Sequence, residues 1–136
     1  MSASNSFLYA GFAMYRNYDG KDSTFGDTYL HATSSNSGAD AEGQLSVYGA
    51  QQSSDNAITV MVINKTYGPL TSTLSLENFT AGSNTTAQVY QYSNANINAI
   101  ATQTPASVTP PANGSTSSTI SYTFPGQSIT LLVIPQ

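Results

Sequence analysis

Gln88, Tyr90 and Tyr92 recur at every second position. In an extended segment that spacing puts them on one face, neighbours roughly 6 to 7 Å apart. If Ala87, Val89 and Gln91 turn inward, the triplet is an exposed Tyr-Tyr-Gln strip. Tyr48 and Tyr29 point outward by the same parity, and Tyr18 and Tyr67 fall in turns. A phenol ring offers a flat apolar face with a hydrogen-bonding tip at low rotamer cost. Two or three exposed rings make a platform for a flat, hydroxyl-rich molecule, with Gln, Asn and Asp side chains fixing its hydroxyls. Tyr9, Tyr15 and Tyr122 are expected to be structural, because Tyr is favoured in strands and often half-buried.

Other chemistry is sparse. The chain has nine Tyr but no Trp, no Cys and only 7% charged residues. Its seven acids are Asp19, Asp22, Asp27, Asp40, Glu42, Asp55 and Glu77. Cleaving a glycosidic bond usually takes two opposed carboxyls roughly 5 to 9.5 Å apart. These acids fall mainly in turns, where local backbone hydrogen bonds favour Asp, so no catalytic residue is assigned and no enzyme is expected. Asp19, Asp22 and Asp27 share a loop with Asn17 and Gly26. Three carboxylates plus backbone carbonyls could hold a structural Ca²⁺, although the spacing is not that of an EF-hand. An Asx-rich turn accounts for the same residues. His31 is the only histidine; without Cys or a second His no zinc site is expected, and His31 reads as a polar surface residue.

Net charge is −4, with only Arg16, Lys21 and Lys65 as cations. Three cations cannot neutralise a phosphate backbone, which excludes a nucleic-acid partner. There is no basic amphipathic stretch for a lipid surface, and no apolar run nears the roughly 20 residues of a membrane helix. Met1–Ser6 lacks the charged and apolar regions of a signal peptide, so Met1 is read as a start added to a module from a longer chain. Low charge with abundant Ser, Thr and Asn suits a secreted, extracellular surface. Residues 1–136 form one domain by size, long enough to bury roughly two-thirds of the unfolded surface without a staple.

The elements that must position the tyrosines read as strands throughout, because strong helix formers never accumulate. Strands are expected at 7–18, with a break at Gly11, then 28–34, 44–52, 57–65, 70–79, 86–92, 119–124 and 128–134. Ser35–Gly43 reads as a polar loop, and Ser53–Asn56 as a hairpin turn. Ile58, Val60 and Val62 alternate with Met61 and Ile63, so that strand is covered on both faces and central. Leu74, Leu76 and Phe79 face inward. Residues 94–111 read as irregular, anchored by Ile97 and Ile100, and the last two strands as a hairpin across Pro125-Gly126. About eight strands with short turns and no crossover helices imply an all-β fold, an antiparallel two-sheet β-sandwich. Sequons at Asn64, Asn78, Asn84 and Asn113 allow N-glycans in a suitable host.

Three segments, in order and spacing, carry a likeness. They are Met14-Tyr15-Arg16-Asn17-Tyr18-Asp19-Gly20 with Phe25-Gly26-Asp27-Thr28, then Ala57–Lys65, then Ala87–Ser93; the ending Ser128–Pro135 adds to them. They resemble the C-terminal β-sandwich of family 44 glycoside hydrolases, which are endo-β-1,4-glucanases and xyloglucanases. In that family the catalytic carboxylates lie in a (β/α)₈ barrel, which this chain lacks, so none carries over. The resemblance implies an accessory domain, with a glycoside hydrolase catalytic domain in the parent chain and plant cell-wall polysaccharide as the other partner. It leads to a stand-alone, non-catalytic carbohydrate-binding module recognising cellulose-type β-glucan or xyloglucan. The candidate contacts are Tyr90, Tyr92, Gln88, Tyr48, Tyr29, Tyr18 and Tyr67. The alternative is a structural sandwich with no ligand, which would expose a broad Leu/Phe/Ile patch when isolated. Stacking and neutral hydrogen bonds involve no charged pair, so polysaccharide binding is expected to survive about 1 M NaCl. Affinity electrophoresis with and without salt checks this, and abolition by salt would contradict the mechanism.

Overall fold

The computed structural model describes residues 11, 13–34 and 45–135. Tyr9, Asp40, Glu42, the whole of the expected loop Ser35–Gly43 and the first part of the expected 7–18 strand lie outside them. Nine strands are described: β1 Thr28–Leu30, β2 Ala32–Ser34, β3 Leu45–Gln51, β4 Ile58–Asn64, β5 Leu70–Leu76, β6 Thr86–Ser93, β7 Asn96–Ser107, β8 Ser118–Phe124 and β9 Ser128–Ile134. They form a six-stranded sheet, order β1-β3-β4-β9-β6-β7, and a three-stranded sheet, order β2-β5-β8. All the pairings between them are antiparallel. The expected antiparallel β-sandwich is what the chain forms.

Strand parity divides the core. Ile58, Val60 and Val62 of β4, Ala87 and Val89 of β6, and Leu132 and Ile134 of β9 face the smaller sheet, where they meet Leu74, Leu76, Ile120 and Phe124. Fully burying a side chain of this size stabilises the fold by roughly 1.5–3 kcal/mol. The alternate residues of the same strands, Met61, Tyr92 and Leu131, are also buried, on the opposite face. That second face is covered by Met14 and Tyr18, with Phe25 packed against them. The smaller sheet needs no such cover. Its outer face carries Thr71, Thr73 and Ser75 opposite Thr123, Ser121 and Thr119. The Thr71–Thr123 and Thr73–Ser121 hydroxyls bond to each other at 2.7 Å.

Four expectations are corrected. Residues 13–16 are α-helical rather than extended, with the Asn17 N–H donating to the Ala13 carbonyl at 2.8 Å. The expected 28–34 strand is two. Leu30 pairs with Gly49 in the larger sheet, and Ala32 pairs with Leu76 in the smaller one. Residues 94–111 hold a twelve-residue edge strand, β7. Finally, β8 and β9 are not a hairpin, because they lie in different sheets. Asn64 is also not a glycan acceptor in the folded chain. It is 1% exposed; its amide donates to the Gly68 and Phe124 carbonyls, and its oxygen accepts from the Thr66 N–H and hydroxyl.

The switch between sheets at His31 depends on a missing side chain. A Cβ at Gly49 would lie 2.6 Å from the Leu30 carbonyl oxygen, a clash with backbone that cannot rotate away. Gly49→Ala is therefore expected to destabilise the fold by about 1–3 kcal/mol. Gly68→Ala, where nothing lies within 4 Å of the added atom, is expected not to. Urea unfolding of the two variants beside the parent checks the contrast.

Candidate functional site

The face of the six-stranded sheet turned away from the smaller sheet holds most of the candidate residues. On β6, Ala87, Val89 and Gln91 are buried, as expected, and Gln88 is exposed. Gln91 faces the inter-sheet side, donating to the Thr130 hydroxyl at 3.0 Å. Tyr90 and Tyr92 occupy the other face, but not as an open strip. Tyr92 is only 8% exposed and its hydroxyl donates to the Ile97 carbonyl at 2.8 Å. Tyr90 is half-buried beneath the Tyr18 ring, centroids 4.9 Å apart. Tyr18 itself is 6% exposed. The expected exposure of Tyr92 and Tyr18 is thus corrected, because the segment carrying Met14, Tyr18 and Phe25 lies across these strands. Its sequence carried a signal: Met14 and Tyr18 are four apart, one helical turn, and both apolar on one side.

Beyond this cover the described residues leave the face open. Tyr29 is 79% exposed and Tyr48 49%. Tyr29 stands directly opposite Ala50, two residues along β3 from Tyr48. The two tyrosines are therefore diagonal neighbours on one face, about 7–8 Å apart. Tyr15 is 45% exposed and sits edge-on to Phe25 at 5.5 Å. The expected structural role of Tyr15 is corrected: its position on a helical turn, not a strand, leaves it at the surface. The Phe25 N–H donates to the Tyr15 carbonyl at 2.7 Å, and the Phe25 carbonyl accepts from the Thr59 hydroxyl. Gly26 follows with φ +132°, where a Cβ would lie 2.9 Å from Ala50, so the segment passes close over β3. Tyr67, fully exposed, follows the far end of β4 and is not brought to this group.

At the other margin of the cover, towards β7, lies a cleft of ≈ 320 Å³ lined by Asn17, Tyr18, Asp19, Asn98, Ile100 and Thr102 among others. Thr102 is level with Tyr90. Its lining combines apolar groups with amide, hydroxyl and carboxylate side chains, the mixture that holds a polar small molecule.

The three loop carboxylates are not gathered. Asp19 accepts from the Lys21 and Ser23 N–H groups and from the Ser23 hydroxyl. Asp27 accepts from the Ser53 N–H at 3.1 Å and from its hydroxyl. Asp22 is exposed, at φ 64°, with its N–H donating to the Asn17 side chain. No group of three His, Cys, Asp or Glu among the described residues could hold a metal ion. His31 meets Glu77 at 2.8 Å, both about half-exposed.

Burial raises the phenol pKa of Tyr18, Tyr90 and Tyr92, and of Tyr122 against the inter-sheet core. Hydrogen bonds from Gln52 and Ser23 oppose the effect at Tyr18; the Asp19 charge adds to it at Tyr90. Burial pushes the Asp19 carboxyl up, but the Ser23 hydroxyl and the Lys21 and Ser23 N–H groups bring it below its ordinary value. The Ser53 hydroxyl, foremost, lowers Asp27. The native state thus holds the phenolic protons more tightly than the unfolded chain, so stability is lost above about pH 10. It holds the carboxyl protons less tightly, so stability is lost again below about pH 4. Urea midpoints measured across pH are expected to fall at both ends of an otherwise flat profile.

No protein-family model matches the chain, and no curated protein matches it. Among solved structures it is similar to CelM2, a bifunctional glucanase-xylanase protein from a metagenome library, with 44% identity and TM-score 0.74 over 93% of this chain and 22% of that one. It is also similar to a Paenibacillus polymyxa xyloglucanase from glycoside hydrolase family 44, with 25% identity and TM-score 0.71 over 97% of this chain and 23% of that one. The chain spans under a quarter of the length of either enzyme. Motifs, fold and these two likenesses agree: over nearly its whole length, the chain resembles the β-sandwich domain of family 44 glycoside hydrolases.

Proposed function

We propose that the chain is a non-catalytic carbohydrate-binding module for β-1,4-glucan chains of the cellulose or xyloglucan type, acting beside a secreted glycoside hydrolase. One observation carries the reading. The large apolar side chains exposed among the described residues are Tyr15, Tyr29, Tyr48, Tyr67 and Ile97; no Leu, Phe, Val or Met is among them. Rings with a polar tip suit contact with both a sugar face and water, and the broad Leu/Phe/Ile patch expected of a sandwich that only docks on another domain is not found among the described residues. Tyr29 and Tyr48 are diagonal neighbours on one face of the larger sheet, and Tyr15 stands on the segment that covers that face, so sugar rings could lie across Tyr29 and Tyr48. Asn98, Thr102 and Asn17 at the cleft margin supply neutral hydrogen-bonding groups. Carboxylates committed to turn N–H groups and hydroxyls, as Asp19 and Asp27 are, favour a binding role over hydrolysis.

The likeness to part of two enzymes also favours a second reading, a structural sandwich that supports a catalytic domain and binds no glucan itself. Affinity electrophoresis in gels containing xyloglucan, β-glucan or hydroxyethylcellulose separates the two. The binding module is retarded by at least one polymer, and Tyr29→Ala and Tyr48→Ala each weaken retardation by about tenfold, as loss of a stacking anchor does. Absence of retardation in every gel would favour the structural role.

A further inference from the structure

β7 is bent by an extra residue. Ala87 pairs with Ala106 and Val89 with Gln103, so Gln88 alone faces both Thr104 and Pro105. Such a bulge leaves a residue unpaired and turns the edge strand away from its neighbour, and bulges of this kind commonly re-aim side chains beside binding sites. Pro105, without an N–H, fits an unpaired edge position. Where β7 bends, a cleft of ≈ 560 Å³ opens at the edge of the sandwich. On the β7 side it is lined by Gln103, Thr104 and Ser107, and on the β8 side by Ser121 and Tyr122. Gln103 stands opposite Val89, an inter-sheet core residue, so it is on the side of β7 that looks towards the smaller sheet.

The floor of this cleft is fixed. The Tyr122 ring packs on the inter-sheet core, 5.2 Å from Phe124. Burial raises the Tyr122 phenol pKa, and the Gln91 side chain near its hydroxyl opposes that rise; Gln91 is 7% exposed and donates to Thr130. The ring is thus packed on the core, with part of its surface turned to the cleft. The lining contains hydroxyls, one amide, one phenol ring and the apolar Pro105 and Ala106, with no charged side chain. Hydroxyls and amides both donate and accept, as a sugar does, and the volume lies within the roughly 300–1,000 Å³ of small-ligand sites.

We propose that this cleft is a second carbohydrate site, taking a short stretch of a single soluble β-glucan chain beside the Tyr122 ring. It extends the binding-module reading and rests on the same substrate class. Its location is separate because it lies on the other face of β7: Gln103, opposite Val89, looks towards the smaller sheet, whereas Thr102, level with Tyr90, and the exposed tyrosines lie on the face turned away from it. One molecule can therefore hold two glucan segments at once.

Titration of the ¹⁵N-labelled chain with cellohexaose, followed by amide NMR, tests it. Amides of residues 103–107 and 121–122 are expected to shift, in the parent and equally in Tyr48→Ala. Ser107→Trp, which fills the cleft, and Gln103→Ala, which removes its amide, are expected to weaken those shifts by about tenfold. Both are surface changes, and thermal unfolding of each checks that the fold is kept. Retardation in polysaccharide gels without shifts at 103–107 would overturn the cleft and leave the tyrosine face standing. Shifts at 103–107 without tyrosine-dependent retardation support the cleft and sink the tyrosine face. Neither retardation nor shifts would overturn both.

Discussion

Strands β4, β9 and β6 are apolar on both faces, and that double burial governs the molecule. A two-layer sandwich supplies one cover. The second has to come from elsewhere, because Met61, Leu131 and Tyr92 would otherwise form an exposed apolar stripe at the centre of the larger sheet. The chain answers with the segment through Met14, Tyr18 and Phe25, pinned by backbone and hydroxyl hydrogen bonds to its own turn and to β4. The smaller sheet, whose outer face is Ser and Thr, has no such requirement. The two layers therefore differ in chemistry: one presents hydroxyls, the other a composite of rings, turns and a cleft.

This cover decides which aromatic residues remain for recognition. It consumes Tyr18, Tyr90 and Tyr92 as packing partners. It leaves Tyr29 and Tyr48 open at the β1–β3 margin and brings Tyr15 to the surface edge-on to Phe25. It also makes the wall of the cleft near Thr102, since Asn17, Tyr18 and Asp19 belong to the same turn. Asp19 shows the economy of the turn: one carboxylate closes the loop through Ser23 and Lys21, and its charge lies close enough to Tyr90 to disfavour the phenolate.

Parity was legible wherever side chains alternate against a core. The central place of β4, the inward Leu74, Leu76 and Phe79, and the outward Tyr29 and Tyr48 all followed from it. What failed was non-local. Parity tells that Tyr90 and Tyr92 share a face, but not that a segment far away in sequence packs on that face. The helical turn at 13–16 is so short that its one periodic mark is the Met14–Tyr18 spacing, so it reads as strand. β7 is a largely exposed edge strand, without the apolar alternation that marks a half-buried one, so it read as a loop. Pro125-Gly126 has the chemistry of a tight turn, but turn chemistry does not say which sheet the chain enters next. The cleft beneath the β7 bulge left no mark either, since its lining comes from two strands that never pair along their length.

In the sheet β2-β5-β8, no strand follows another in the chain; each is reached from the larger sheet and returns to it. The smaller layer therefore contains no hairpin and has no local nucleus of its own. All its partnerships are long in sequence, the kind that closes late because loop entropy is lost before contact is gained. It cannot be excised, inherited or melted as a separate piece. The two layers are laced into a single cooperative unit, and a cut in any excursion through the smaller sheet takes a strand out of that layer and unties the path through the other.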